Sequence, residues 1–276
     1  MSLMVDVPRA ARTGRYPRWP ALLPDIELHQ GRYSLRFART EAELDALLRL
    51  RFEVFNVELG EGLAESWSSA RDVDEFDALC HHMIVVDRAS GAVIGTYRLQ
   101  TSEMAAAGAG FYSAREFGLD GLPESVRGAA VELGRACIAR EHRSSRALIL
   151  LWRGLAAYLR WNHKRYLFGC CSLTSQSPAE GWAVHDELAA RAALHPSLRV
   201  EPLPALACTR GEALPSLPDG GVPALFDMYL RMGARVVSAP ALDRAFGTID
   251  YLVLFDVEDL AGAKAGRLLA ESEARS

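Results

Sequence analysis

The stretch Val131-Glu132-Leu133-Gly134-Arg135-Ala136-Cys137-Ile138 constrains the fold more than any other part of the chain. It reads as a buried strand, yet it carries a carboxylate, a glycine and a guanidinium. Polar and charged groups inside such a strand must be paired, because burying an unpartnered ion is very costly. In a regular strand Glu132 and Arg135 would face opposite sides. A bulge at Gly134 would redirect the side chains that follow it, and bulges are common beside active sites. Structural pairing with no chemical role is the competing reading. A long helical pattern follows over 146–162, with Leu148, Leu151, Trp152, Leu155 and Leu159 on its apolar face.

The neighbouring segments supply the rest of a layered domain. Alternating or continuous apolar character predicts strands over 33–38, 83–87, 92–100, 130–139, 166–173 and 250–255. Helices are predicted over 41–59, 146–162, 178–193 and 222–232. Thr40 and Glu43 form a capping-box pair for the first helix and Gly60 ends it. An Ala-Ser-Gly turn after Asp87 suggests a hairpin. Hairpin strands followed by strand–helix–strand alternation indicate an α/β or α+β fold with a mixed sheet. We expect a single domain over 31–262, preceded by an extended basic arm over 1–30 and followed by a tail over 263–276.

Composition excludes several classes. Half of the 276 residues are hydrophobic, 24% are charged and the net charge is -4, which argues against a disordered, collagen-like or coiled-coil chain. A slightly acidic balance also argues against holding nucleic acid by bulk charge. The longest unbroken apolar runs, 147–152 and 251–255, are far shorter than the roughly 18 residues of a membrane span. Arg9, Arg12, Arg15 and Arg18 precede no apolar signal region, so a cytoplasmic location is expected. With Tyr16 and Trp19 beside them, these arginines suit an anionic membrane surface, and a solvated tail is the alternative. Five cysteines without C-x-x-C spacing read as reduced, mostly buried thiols.

Three further groups could carry chemistry. Arg51 follows the helical period of Leu44, Leu48 and Phe55, so it projects from an apolar face and needs a carboxylate partner or a route to the helix end. Asp72, Asp74 and Asp77, in Arg-Asp-Val-Asp-Glu-Phe-Asp, are candidate partners. They could instead bind a metal with His81 and His82 or form a solvated turn, but no metal-ligand spacing is present and no metal is expected. Arg146, Arg153, Arg160 and Lys164 fall near one line along the 146–162 helix, with Arg140 and Arg143 at its approach. Such a stripe suits an acidic partner or a phosphate, or is simply a soluble face.

In order along the chain come Leu50-Arg51-Phe52-Glu53-Val54-Phe55, Asp74-Glu75-Phe76-Asp77, Gly95-Thr96-Tyr97-Arg98 and Glu132-Leu133-Gly134-Arg135. Together they resemble the acyl-homoserine-lactone synthases. The similarity is closer to the ornithine-lipid N-acyltransferases, the hemolysin-like branch of the GNAT acyltransferase fold. It rests on Arg71-Asp72-Val73-Asp74-Glu75-Phe76-Asp77, Leu151-Trp152-Arg153-Gly154-Leu155, Arg165-Tyr166-Leu167-Phe168-Gly169-Cys170 and Asp227-Met228-Tyr229-Leu230-Arg231-Met232-Gly233-Ala234. The resemblance implies a mostly antiparallel central sheet with a bulged central strand and helices on both faces. It also implies transfer of a long, often 3-hydroxylated acyl group from acyl carrier protein to the α-amino group of an amino acid, typically ornithine.

By the same resemblance Arg51, Phe55, Asp74, Asp77, Arg98, Glu132 and Arg135 map onto an active-site cluster. Glu132 is our candidate base, with Arg135 beside it as a second catalytic candidate. Arg51, Phe55, Asp74, Asp77 and Arg98 are the substrate-binding candidates, the aspartates as partners of either the arginines or an ornithine ammonium. No glycine lies between Gly134 and Gly154, so the glycine-rich pyrophosphate cradle of coenzyme A enzymes is missing. That departure favours an acyl carrier protein donor, met by Arg140, Arg143, Arg146 and Arg153, with no separate cofactor. A synthase of another N-acyl amino acid and a non-catalytic acyl-carrier or lipid-binding module are the alternatives. A covalent route through Cys137, Cys170 or Cys171 lacks a base evident in the sequence.

Overall fold

A nine-stranded mixed sheet organises this computed structural model, which describes residues 16–211 and 221–259. The strands are β1 (Leu28–Gln30), β2 (Tyr33–Phe37), β3 (His81–Asp87), β4 (Val93–Thr101), β5 (Ala130–Ile138), β6 (Tyr166–Leu173), β7 (Arg235–Val236), β8 (Ala241–Asp243) and β9 (Thr248–Asp256). They lie in the order β1-β2-β3-β4-β5-β6-β9-β7, with β8 on β9, and only the β5–β6 pair is parallel. The helices are α1 (Glu41–Phe52), α2 (Ser66–Ser69), α3 (Ser102–Ala106), α4 (Glu124–Gly128), α5 (Ser145–Trp161), α6 (Pro178–Ala190) and α7 (Ala224–Arg231).

The two-residue period of β3 separates the layers. Met83 and Val85 pack with Leu35, Phe37, Tyr97 and Leu99 against Leu151 and Leu155 of α5. Ile84 and Val86 point the other way, onto Leu47 and Leu48 of α1. Helix α5 sits close to the sheet because Gly154 has no side chain: a Cβ there would lie 2.3 Å from Met83 Sδ. The expected capping box at α1 is present, with Glu43 N donating to Thr40 Oγ1 (3.2 Å) and Thr40 N donating to Glu43 Oε2 (3.0 Å). The last turns of that helix, Glu53–Glu58, widen to π geometry and bring Phe55 inward, an irregularity often found at functional sites.

Two features open the middle of the sheet. Thr96 pairs with Cys137 but Arg98 pairs with Gly134, so β5 carries one extra residue opposite β4. Sequence reading placed this bulge at Gly134; the left-handed backbone falls on Arg135 instead, at φ +50°. That conformation is strained for arginine and persists because the guanidinium is held by carboxylates and rings. Pairing of β5 with β6 stops at Glu132 and Phe168, whereas β6 pairs with β9 from Tyr166 to Leu173.

Other departures have local causes. Of the expected arm, residues 16–30 lie within the described chain, and they are folded onto the domain. Leu23 is buried, Asn162 Nδ2 and Trp161 Nε1 donate to the carbonyls of Leu22 and Ala21, and β1 joins the sheet. Tyr16 and Trp19 are half-buried against protein. Arg9, Arg12 and Arg15, and the tail over 263–276, lie outside the described residues. Lys164 does not continue the basic stripe: α5 ends at Trp161, and its ammonium turns inward to Glu103, Ser102 Oγ and Gly128 O. Among the described residues no helix is long and apolar enough to cross a membrane.

Candidate active site

The acidic turn and the three internal arginines meet as one ion network. Arg51, fully buried, donates from Nε to Asp72 Oδ2 (2.6 Å) and from NH1 and NH2 to the two oxygens of Asp77 (2.6 and 3.3 Å). Arg98 NH1 bridges Asp74 Oδ1 (2.6 Å) and Asp77 Oδ1 (3.1 Å). Arg135 NH2 donates to Asp74 Oδ2 (3.1 Å), and its Nε lies 3.3 Å from Asp72 Oδ2. Three guanidiniums thus face three carboxylates, the balance that makes burial of six charges tolerable. Burial alone would raise the Asp77 carboxyl, but Arg51 and Arg98 outweigh it and hold the group far below the usual carboxylate range.

Several predicted residues are engaged within this network. Arg51, Asp74 and Asp77 stand behind the cavity wall, and both aspartates are committed to arginines. His81 and His82 are not ligands in this network. His81 Nδ1 meets Tyr158 OH and its Nε2 meets Arg18 O, both at 2.8 Å, while His82 Nε2 meets Asp77 O at 3.0 Å. Burial lowers both imidazoles to about 4, so they are neutral at neutral pH.

In front of the network lies a cavity of about 320 Å³ lined by Phe55, Arg98, Glu132 and Arg135 among others. Four of the sequence-predicted residues therefore share one space. Tyr112 was not predicted. Its ring lies under both Arg98 and Arg135, with centroid distances of 5.2 and 4.9 Å. Glu132 accepts from Tyr112 N (2.7 Å), Ser113 N (2.8 Å) and Ser113 Oγ (2.5 Å), which orients its carboxylate and leaves about one of four lone-pair sites open. Burial pushes the Glu132 carboxyl above its ordinary value, against the opposing pull of these donors.

One side of the cavity is apolar, with Trp152, Leu167, Phe226, Tyr229, Val253 and Phe255, and it reaches the surface at Leu59 and Leu225. Its shape and lining suit an aliphatic chain. Another side is acidic: Asp243, Asp250, Glu61 and Cys170 line it. Sequence reading missed this side, although Asp250 carries the same signal as Glu132, a carboxylate inside a buried apolar strand. Glu116, Cys170 and Asp250 bring possible ligand atoms within 4.8 Å of one another. All five cysteines are free, and burial raises their thiols, to about 12 at Cys137 and about 11 at Cys208, so none is an activated nucleophile.

The four arginines expected at the acyl-carrier surface separate into two pairs. Arg140 and Arg146 are exposed on the approach to α5. Arg143 is engaged by Glu58 through two 2.7 Å contacts, and Arg153 NH1 donates to His29 O at 3.3 Å, tying α5 to β1.

The model of the acetyltransferase (GNAT) domain family matches residues 50–153, which run from the end of α1 across the bulged strand into α5. The mixed, mostly antiparallel sheet with helices on both faces is the GNAT acyltransferase fold. Among solved structures, the acyl-homoserine-lactone synthase LasI is similar, with a TM-score of 0.45 and 15% identity, covering 87% of this chain and 95% of that one. L-ornithine N(alpha)-acyltransferase of Agrobacterium fabrum (strain C58 / ATCC 33970) is 35% identical over 249 residues, spanning 84% of this chain and 83% of that protein. The enzyme of the same name from Brucella abortus (strain 2308) is 33% identical over 264 residues, 87% and 92% of the respective lengths. With identity at this level over most of both lengths, the chain belongs to the L-ornithine N(alpha)-acyltransferase family.

Proposed function

We propose that the protein transfers a long, 3-hydroxylated fatty acyl group from the thioester of acyl carrier protein to the α-amino group of L-ornithine. The carrying observation is the placement of Glu132, oriented by three donors, in a cavity that also has an aliphatic side and two guanidiniums. The nitrogen forms a C–N bond to the carbonyl carbon, the C–S bond breaks, and the proton shed by the amine ends on the departing thiol. Glu132, directly or through one water, takes that proton first. Arg98 and Arg135 hold the substrate α-carboxylate, while Arg51 acts from behind by fixing Asp72 and Asp77. Arg135 and Ala136 have no ladder partner on β4 or β6, which supports a role for their N–H groups in holding the tetrahedral oxyanion.

An acyl carrier protein donor is favoured by the absence of glycine between Gly134 and Gly154 and by exposed Arg140 and Arg146 near the start of α5. The purified protein, given 3-hydroxyacyl carrier protein and ornithine, glycine, lysine, glutamine or S-adenosylmethionine, should yield acyl-ornithine by mass. A different acyl amine would replace the substrate, and no product with any amine would favour a binding module. Arg140→Glu with Arg146→Glu should raise KM for the acylated carrier about tenfold, an effect mimicked by raising salt. An unchanged KM places the docking surface elsewhere.

A further inference from the structure

The acidic side of the cavity is not explained by the arginine network. Asp250 and Glu116 are each 4% exposed, and Asp250 Oδ1 and Glu116 Oε1 have no hydrogen-bond partner. Asp243 and Glu61 face the same space as Asp250. Among the described residues, none of these four carboxyl groups makes a salt bridge, whereas Asp72, Asp74 and Asp77 each meet two arginines. Buried acids without counter-ions are costly, and native chains keep such groups where a ligand completes them.

We infer that Asp250, Glu116 and Asp243 form the subsite for the side-chain ammonium of a basic amino acid, and so select ornithine over amino acids with neutral side chains. This deepens the proposed acyl transfer and rests on it. Arg98, Arg135, Glu132, Asp243 and Asp250 line one cavity, and Glu116, outside the lining, comes within 4.8 Å of Asp250, so one substrate can place its carboxylate and α-amine on the first three and its distal cation on the acids. The open oxygens of Asp250 and Glu116 offer acceptors to an ammonium, which donates three hydrogen bonds. Asp74 and Asp77, the acids that sequence reading offered for this role, already accept three and four hydrogen bonds and are neutralised by arginines.

Besides each other, the titratable groups facing Asp250 and Glu116 are Asp243, Glu61, Cys170, Cys171, Tyr112, Tyr251 and, with opposite charge, Arg135. Burial, with Asp250 and Asp243 adding to it, raises Glu116 to about 10, and burial also raises Asp250. Glu116 therefore holds a proton in the empty subsite, and an arriving ammonium displaces it.

The test compares kcat/KM for L-ornithine and L-norvaline, which lacks the ammonium, using the full-length protein and acylated carrier. The wild type should prefer ornithine by about 100-fold or more, because a site built for a polar group rejects the analogue lacking it. In Asp250→Asn and in Glu116→Gln that preference should fall at least about 30-fold, with Tm at or above wild type as the crowding of two buried acids is relieved. Equal use of the two amines by wild type, or an undiminished preference in the folded variants, overturns the subsite. Should both variants fail to fold, calorimetry of the wild type decides: ornithine binding should release about one more proton than norvaline binding, and equal release overturns the inference. A stoichiometric divalent ion whose removal by chelator abolishes the preference would also overturn it, by assigning the three ligands to a metal. Failure of wild type to acylate any amine sinks the acyl-transfer reading, and the calorimetry still reports on the ammonium.

Discussion

Glu132→Gln is expected to lower kcat about 10³-fold while KM for the acylated carrier stays within about twofold. Loss of a positioned general base costs 10²- to 10⁴-fold. The α-amine of an amino acid arrives mostly protonated, and Glu132 is the candidate acceptor in the cavity wall. Its carboxylate is held by Tyr112 N, Ser113 N and Ser113 Oγ, so the variant keeps its shape but turns an amide N–H toward one of these donors. That mismatch costs about 1–3 kcal/mol of stability and should leave the protein folded at 25 °C. Burial raises the Glu132 carboxyl, so wild-type kcat/KM should decline as pH falls through a value above the usual glutamate range. The variant should lack that limb. A variant with wild-type kcat would remove Glu132 from the chemistry.

Arg51→Met should destabilise the fold by about 3–5 kcal/mol, since Asp72 and Asp77 each lose an arginine partner and keep their desolvation cost. At about 2–4 °C per kcal/mol for a chain of this size, Tm should drop by roughly 10 °C. The two proteins should also differ in how much stability they lose on acidification. In wild type the Asp77 carboxyl is depressed, so its contribution is present above the ordinary aspartate range and is lost only as pH falls toward the lowered value. In the variant Asp77 keeps only Arg98, so its carboxyl is less depressed and less stability is lost on acidification; the gap to wild type should narrow between pH 8 and pH 3. Denaturant melts at the two pH values check this. A variant as stable as wild type at pH 8 would show that the network is dispensable to the fold. Arg51→Lys keeps the charge without the planar fork and should recover part of the loss.

Four motifs in the sequence carried the family resemblance, and the reason lies in their chemistry. Arginine on an apolar helix face, acids in a short turn and a charged, glycine-containing buried strand are each expensive alone. They become affordable when they meet, which is what Arg51, Asp72, Asp77, Arg98 and Arg135 do. Periodicity located the main strands and helices for the same kind of reason, since alternation of Met83, Ile84, Val85 and Val86 follows directly from two buried faces. Strands β1, β7 and β8 escaped notice because two or three residues show no period.

By itself, then, the sequence determined the strand-and-helix framework, and it singled out Glu132 and Arg135, because covalent neighbours set hydrophobic period and expose misplaced charge; the family resemblance added Arg98. Tertiary structure decided which charges pair and which stay open. Nothing along the chain says that Asp74 is bonded to two arginines while Asp250 holds an unpartnered oxygen buried at a cavity wall. The backbone strain fell on Arg135 rather than Gly134 because ion pairs with Asp72 and Asp74 and rings at Tyr112 and Phe246 hold the arginine from three sides. Pairing across 19 to 61 residues of intervening chain depends on where the sheet register brings side chains, and no local pattern encodes it.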